Sequence, residues 1–338
     1  MRKGKVTFSH SFFTGWLEMN KKIGFQHLAR QKMVLIGIIG VLMVIMTFLS
    51  PKFLHVNNFI NIFLQLSPLI IIASAANLLM ITGNFDLSVG SVFAFCAIMH
   101  AYMTKHEVPI GLSVILCCIM AVVWGASNGF MVGILNVNPV IATMGTMYAA
   151  RGFAYLIARW DGGANISAGL PPDFSAFGRT NIFGIFPIII LFMIISTLIF
   201  LFIEKKTVLG RFSFAIGGNR SASVLSGIDV PGVIIILYSV VGLLAGLCGV
   251  IQVSRVGSAF PNIGEGMEFD VVVAIVLGGT SMLGGEGSTI GMILGAYIVG
   301  LAANGLNLLN VPYFYQTVTK GILLIIAVFA DQIFKHRG

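Results

Sequence analysis

The sequence predicts an all-α polytopic membrane protein of about ten transmembrane helices, with the N- and C-termini cytoplasmic, and three observations predict it. Hydrophobic residues make up 57% of the chain and charged residues 9%, with a mean hydropathy of +0.97. A soluble domain carries about 25% charged residues, so the polar surface needed to face water is missing and lipid must solvate most of the chain. Apolar runs also recur at close to the roughly 20 residues that a helix needs to cross a hydrocarbon core of about 30 Å. The third observation is the placing of the basic residues. Arg2, Lys3, Lys5, Lys21, Lys22, Arg30 and Lys32 precede the first run, Lys205, Lys206, Arg211 and Arg220 lie in residues 204–231, and Lys335 and Arg337 close the chain. Only Lys52, Lys105, Arg159, Arg179 and Arg255 fall on the other side. Excess Lys and Arg mark cytoplasmic segments. The net charge of +8 therefore reports membrane orientation, not nucleic acid.

The elements follow in order. Residues 1–32 form a basic tail in which Phe12, Phe13, Trp16, Leu17 and Ile23, with Lys21 and Lys22, fit an interfacial helix or a disordered segment. This basic region is too long for a signal peptide and no small-residue cleavage site follows, so the first apolar helix is expected to be retained. The spans are 33–50, 59–82, 87–104, 110–134, 140–158, 184–203, 231–252, 270–284, 289–309 and 313–330, giving one membrane domain over 33–330 and a short tail at 331–338. The span 270–284 is short, and the breaks at Gly83–Asp86 and Gly284–Gly287 read as partly embedded. Outside, 159–183 and 252–269 are too short for an independent soluble domain.

Glycine is abundant for so apolar a chain, with 40 residues. Gly242, Gly246 and Gly249, then Gly291, Gly295 and Gly300, recur at nearly helical spacing. Small residues let helices approach closely where lipid offers no hydrophobic drive. The 4 cysteines, Cys96, Cys117, Cys118 and Cys248, sit inside apolar runs without a CxxC pair and read as small buried hydrophobes.

Four features could carry chemistry. GNFDLSVGS places Asn84, Asp86, Ser88 and Ser91 between apolar runs, either capping the next helix or lining a polar pathway. Thr143 and Thr146 share nearly one helix face, bonding their own backbone or facing a solute, while Arg151 toward the outer end fits snorkelling. The glycine-dense stretch 267–296 can end helices and expose backbone groups. Lys320, deep in the last span, needs a carboxylate partner, and Asp86 and Asp270 are the candidates. No GxSxG, HExxH or paired-carboxylate arrangement supports an active site and no phosphate-binding lysine motif exists, so neither an enzyme nor a nucleotide site is expected.

Taken together, GNFDLSVGS, NPVIATMGTMYAARG, GRFSFAIGGNRSASVLSGI, EFDVVVAIVLGGTSMLGGEGS and TKGILLIIAV resemble the permease subunits of bacterial ABC importers of the ribose/galactose/autoinducer-2 family. The resemblance runs from about Pro51 to the C-terminus. It implies a second permease subunit, as homodimer or heterodimer, two cytoplasmic ATPase modules and an extracytoplasmic sugar-binding protein. It implies no cofactor in this chain, with ATP and Mg used by the partner ATPase. It makes 204–231 the coupling loop, matching the family's pattern at Gly210, Arg211, Gly217, Gly218, Asn219, Ala222 and Gly227. Ser221, Ser223 and Glu286 depart from the pattern and put in question which ATPase fits. An ion-coupled secondary transporter is the alternative, with only Asp86 and Asp270 available as ion-binding carboxylates in the membrane. A non-transport scaffold is a third reading.

Overall fold

The computed structural model describes residues 32–163, 165–167, 170–182, 186–312, 314–319, 321–322 and 325. Lys320, most of the N-terminal tail and the 331–338 tail lie outside the described residues. Helices follow the expected spans closely. They are α1 (Lys32–Leu49), α2 (Val56–Ile81), α3 (Val89–Lys105), α4 (Ile110–Gly133) and α5 (Pro139–Trp160), then α6 (Ala176–Arg179) and α7 (Ile188–Lys206). After these come α8 (Val208–Gly218), α9 (Arg220–Leu225), α10 (Val230–Val256), α11 (Met267–Leu277) and α12 (Thr289–Leu308), with helical backbone again at 314–319. A two-stranded hairpin pairs Asn181–Ile182 with Phe186–Pro187.

Six of these helices, α1, α2, α4, α7, α10 and α12, are long and apolar enough to cross a membrane. The chain is an all-α multi-pass membrane protein. The others differ from the expected spans for local reasons. α3 is 17 residues, and α5 carries Arg151 and Arg159 within its 22. α11 has 11 residues, about 16 Å of rise, which is half a hydrocarbon core. It stops at Leu277 where the expectation ran to 284, because Gly279, Gly284 and Gly285 adopt positive φ and turn the chain.

Burial sorts the helices by solvent. In α2 83% of the most apolar window is buried, against 22% in α4 and 11% in α1, so α2 is a core helix and the other two present lipid-facing sides. α10 is the second core helix, packed on α4, α3 and α2. Its seam with α4 is made of glycine. A Cβ on Gly125, Gly129 or Gly133 would strike α10 backbone or side chains at Tyr238, Ile235 and Pro231, and one on Gly242 would strike Ala121. This four-residue repetition brings the two backbones together, which is how helices associate without a hydrophobic drive. Gly246 and Gly249 continue the seam onto Cys96 and Phe93 of α3. Gly291 and Gly295 seat α12 on α11, and Gly300 meets Leu66 of α2.

The helix ends fall into two sets. One, the basic end, gathers the end of α2, the link from α4 to α5, the α8–α9 segment, the start of α10 and the turn 278–288. The other, the hairpin end, carries the α3–α4 turn, α6 and the paired strands. There Lys105 Nζ meets Asp161 Oδ2 at 2.7 Å, and Ser254 ties α10 to the segment above it by accepting from Gly178 N at 2.9 Å and donating to Phe174 O at 2.7 Å.

Candidate functional site

Two interruptions of helix lie inside the bundle, and the polar side chains collect around them. The first is the link 82–88 between α2 and α3. Asp86 Oδ1 accepts from Ser88 N at 2.7 Å and from Ser88 Oγ at 2.6 Å. Asn128 of α4, fully buried, donates through Nδ2 to Ser88 Oγ at 2.9 Å and more weakly to Asp86 Oδ1 at 3.4 Å. Its Oδ1 accepts from Thr146 Oγ1 of α5 at 2.7 Å. Tyr238 of α10 donates its hydroxyl to Phe85 O at 3.0 Å. Asn84 folds back locally, donating to Thr82 Oγ1 at 2.9 Å. An unpaired polar group in such a place would cost several kcal/mol, on the order of a lost desolvation term, and here every one of these side chains has a partner.

The candidate residues thus separate. Asp86, Ser88 and Thr146 meet in one network. Thr143 does not join it, since its hydroxyl donates to Pro139 O at 2.7 Å one turn back along α5. Asn128 and Tyr238 were missed in the sequence. The signal for Asn128 was present: an amide inside the apolar run 110–134, costly in lipid unless it faces a partner. Tyr238 carried none, because one tyrosine in an apolar helix is indistinguishable from packing.

The second interruption is residues 257–266 between α10 and α11. Arg151, about 18 Å along α5 from its start, donates Nη1 to Pro261 O at 2.6 Å and Ile263 O at 2.9 Å. Snorkelling toward water is therefore replaced by capping of carbonyls that no helix satisfies. Glu268, buried in the first turn of α11, abuts Gly90 of α3, and its Oε2 has no hydrogen-bond partner among the described residues. Asp270 shares that first turn, where the helix dipole favours a carboxylate. Lys320, for which Asp86 or Asp270 was the expected partner, lies outside the described residues.

At the basic end, 204–231 folds into α8 and α9. Thr207 caps α8 by accepting from Gly210 N at 3.3 Å, and Gly210 lies against Ile203 O and Glu204 O of α7. Asn219 caps α9, accepting from Ala222 N at 2.9 Å, and Gly227 (φ 81°) ends it. The inner face of α8 is backbone on backbone. A Cβ on Gly217 would collide with Ile81 O and Gly285 N, atoms that are themselves hydrogen-bonded at 2.9 Å. Gly218 lies over Gly285. Glu204 Oε2 accepts from Thr289 N at 2.6 Å, fastening α7 to the start of α12, and Arg220 donates to Asn136 Oδ1 at 3.1 Å. The outward face shows Arg211, Ser221, Ala222, Val224 and Leu225, the last 89% exposed. Ser223 points inward and donates to Asn219 O, so of the two serine departures only Ser221 is presented.

Non-helical backbone within an apolar bundle is tolerated only where protein buries it or it lines a water-filled cavity, and broken helices of this kind recur in membrane transport proteins. The chain belongs to the family described as branched-chain amino acid transport system / permease component, whose model matches residues 58–328. It is 38% identical over 312 residues to the ribose import permease protein RbsC of Bacillus subtilis (strain 168), covering 92% of this chain and 96% of the relative. It is 34% identical over 298 residues to the D-allose transport system permease protein AlsC of Escherichia coli (strain K12), covering 88% and 90%. The galactose/methyl galactoside import permease protein MglC of Haemophilus influenzae is 33% identical over 336 residues, covering 94% and 97%. The resemblance read from the five sequence segments holds. No solved structure matches this chain.

Proposed function

We propose that this chain is the membrane permease subunit of a binding-protein-dependent ABC importer that moves a monosaccharide into the cytoplasm by ATP-driven alternating access. The observation that carries the reading is the α8–α9 segment, which joins an outward face including Arg211, Val224 and Leu225 to an inner face locked on Ile81 and Gly285. Such a segment can receive force at the surface and deliver it to the bundle. The relatives named for ribose, allose and galactose support the substrate class, a ribose-like pentose, a hexose or an autoinducer-2-like sugar.

In this reading the basic end is cytoplasmic, as the excess of Lys and Arg favours, both termini share that side, and the chain crosses the bacterial inner membrane about ten times. A second permease subunit completes the pathway, two ATPase modules dock on α8–α9 and use ATP with Mg, and a sugar-binding protein meets the hairpin end. Gly210, Arg211, Gly217, Gly218, Asn219, Ala222 and Gly227 build the docking segment. Nucleotide can shift the permease between its two states only by binding the assembly more tightly in one of them.

The test is uptake of radiolabelled D-ribose, D-allose and D-galactose into proteoliposomes. Uptake that requires ATP, the ATPase subunit and the binding protein supports the reading. Uptake by this chain alone under a proton or sodium gradient would overturn it.

A further inference from the structure

The 82–88 link and the α5 helix are joined by one directed chain of hydrogen bonds. It ends on Asp86, whose Oδ1 already accepts from Ser88 N at 2.7 Å and is therefore the acceptor of the Ser88 hydroxyl proton at 2.6 Å as well. Ser88 Oγ then accepts from Asn128 Nδ2 at 2.9 Å, which fixes the orientation of that amide. Asn128 Oδ1 is left to accept from Thr146 at 2.7 Å. Each bond sets the next, and a chain so terminated behaves as a unit. The link that bears Asp86 and Ser88 begins at Thr82, next to Ile81, whose carbonyl is held by Gly285 N and covered by Gly217 of α8. Phe85 O is pinned to α10 by Tyr238 at 3.0 Å. Only the few non-helical residues that start at Thr82 and Gly83 (φ 79°) separate the α8 contact from this chain of bonds.

We infer that Asn128 is a positioning residue for transport, joining the 82–88 link to Thr146 so that displacement of α8 moves α5. This rests on the importer reading above. Asn128 touches no solute in this account; it acts through Ser88 and Thr146. An aspartate of the same size cannot replace it, since it has no Nδ2 to donate and would set a second carboxylate beside Asp86. A leucine would cut the connection: Ser88 would keep Asp86, and Thr146 would fall back on Thr143 O at 3.1 Å and Ala142 O at 3.3 Å in its own helix.

The experiment compares sugar moved per ATP hydrolysed in the complete reconstituted assembly, using whichever of D-ribose, D-allose and D-galactose the wild type carries fastest. Thr146→Val keeps the volume and removes the hydroxyl; its transport ratio falls about three- to tenfold, the value of one buried hydrogen bond, at unchanged thermal unfolding temperature. Thr146→Ser restores the ratio to within about twofold, because the donor returns. Asn128→Leu lowers the ratio further, and Asn128→Leu with Thr146→Val falls no lower than Asn128→Leu alone, as members of one chain are non-additive. A wild-type ratio in Thr146→Val, or fully additive losses in the double variant, overturns the inference while leaving the importer reading intact. Should the Asn128 variants not assemble, Thr146→Val against Thr146→Ser decides alone. Sugar uptake by this chain alone under a proton or sodium gradient, without ATP, overturns the importer reading, and the relay with it.

Discussion

The two interruptions in the bundle solve the same problem in opposite ways. Around the 82–88 link, Asp86, Ser88, Asn128 and Thr146 satisfy one another, Tyr238 holds Phe85 O, and α4, α5 and α10 are all tied to the segment between α2 and α3. In the 257–266 segment one arginine holds two carbonyls, and around it Gln252 Oε1, Arg255 Nε and Glu268 Oε2 are buried without a hydrogen-bond partner among the described residues. Buried polar groups left unpaired raise the energy of the state that contains them, and the second interruption has three of them close by, whereas the side chains around the first are bonded. In the alternating access proposed above, the first interruption would transmit and the second would yield.

The comparison can be broken in several places. The largest effect is expected at Gly217→Ala. Its methyl would enter the backbone of Ile81 and Gly285, where nothing flexible can give way, so ATP-driven uptake falls at least about tenfold with the protein still in the membrane. Wild-type uptake at equal expression would show that α8 does not need this contact. Next comes Asp86→Leu, which strands both donors of Ser88, its N–H and its hydroxyl, and lowers unfolding stability by about 3–5 kcal/mol, measured by thermal unfolding in detergent micelles. Arg151→Met should cost less, about 2–3 kcal/mol, because the freed carbonyls of Pro261 and Ile263 lie in a segment able to move. An Arg151→Met loss exceeding that of Asp86→Leu would reverse the ranking of the two regions. The smallest change is Glu268→Gln. Removing a charge whose Oε2 is unpartnered raises stability by no more than about 1 kcal/mol. A marked fall in unfolding temperature there would mean that the carboxylate is a fixed support and not a source of strain.

Much of the architecture was legible because lipid leaves few solutions. Apolar runs near 20 residues must be helices, and the described helices track the expected spans through α12. The short span at 270–284 was visible as such, since glycine density announces a turn, but its true limits, Met267–Leu277, depend on which glycines take positive φ. Asp86 and Ser88 stood out as polar groups between apolar runs. What they bond could not be read, because Asn128 lies 40 residues from Ser88 and is brought there only by the α4–α10 glycine seam. Arg151 misled for a related reason. Its distance from a helix end suggested snorkelling, and the carbonyls that it caps belong to Pro261 and Ile263, more than 100 residues away. Gly217 was recognised as part of a pattern, but its physical reason, a backbone contact with Ile81 and Gly285, belongs to tertiary structure.

The most direct measurement concerns the outward face of α9. Leu225 is 89% exposed beside the exposed Val224, so a subunit docked on α9 in the proposed assembly would cover it. A Leu225→Cys variant in inside-out membrane vesicles, treated with a membrane-impermeant maleimide, should label readily when the permease is alone. Labelling should fall once the ATPase subunits are bound, and right-side-out vesicles should not label at all. Equal labelling with and without the ATPase, or labelling from the outside, would contradict the account at its centre, because α8–α9 would then not be the surface through which ATP drives the bundle.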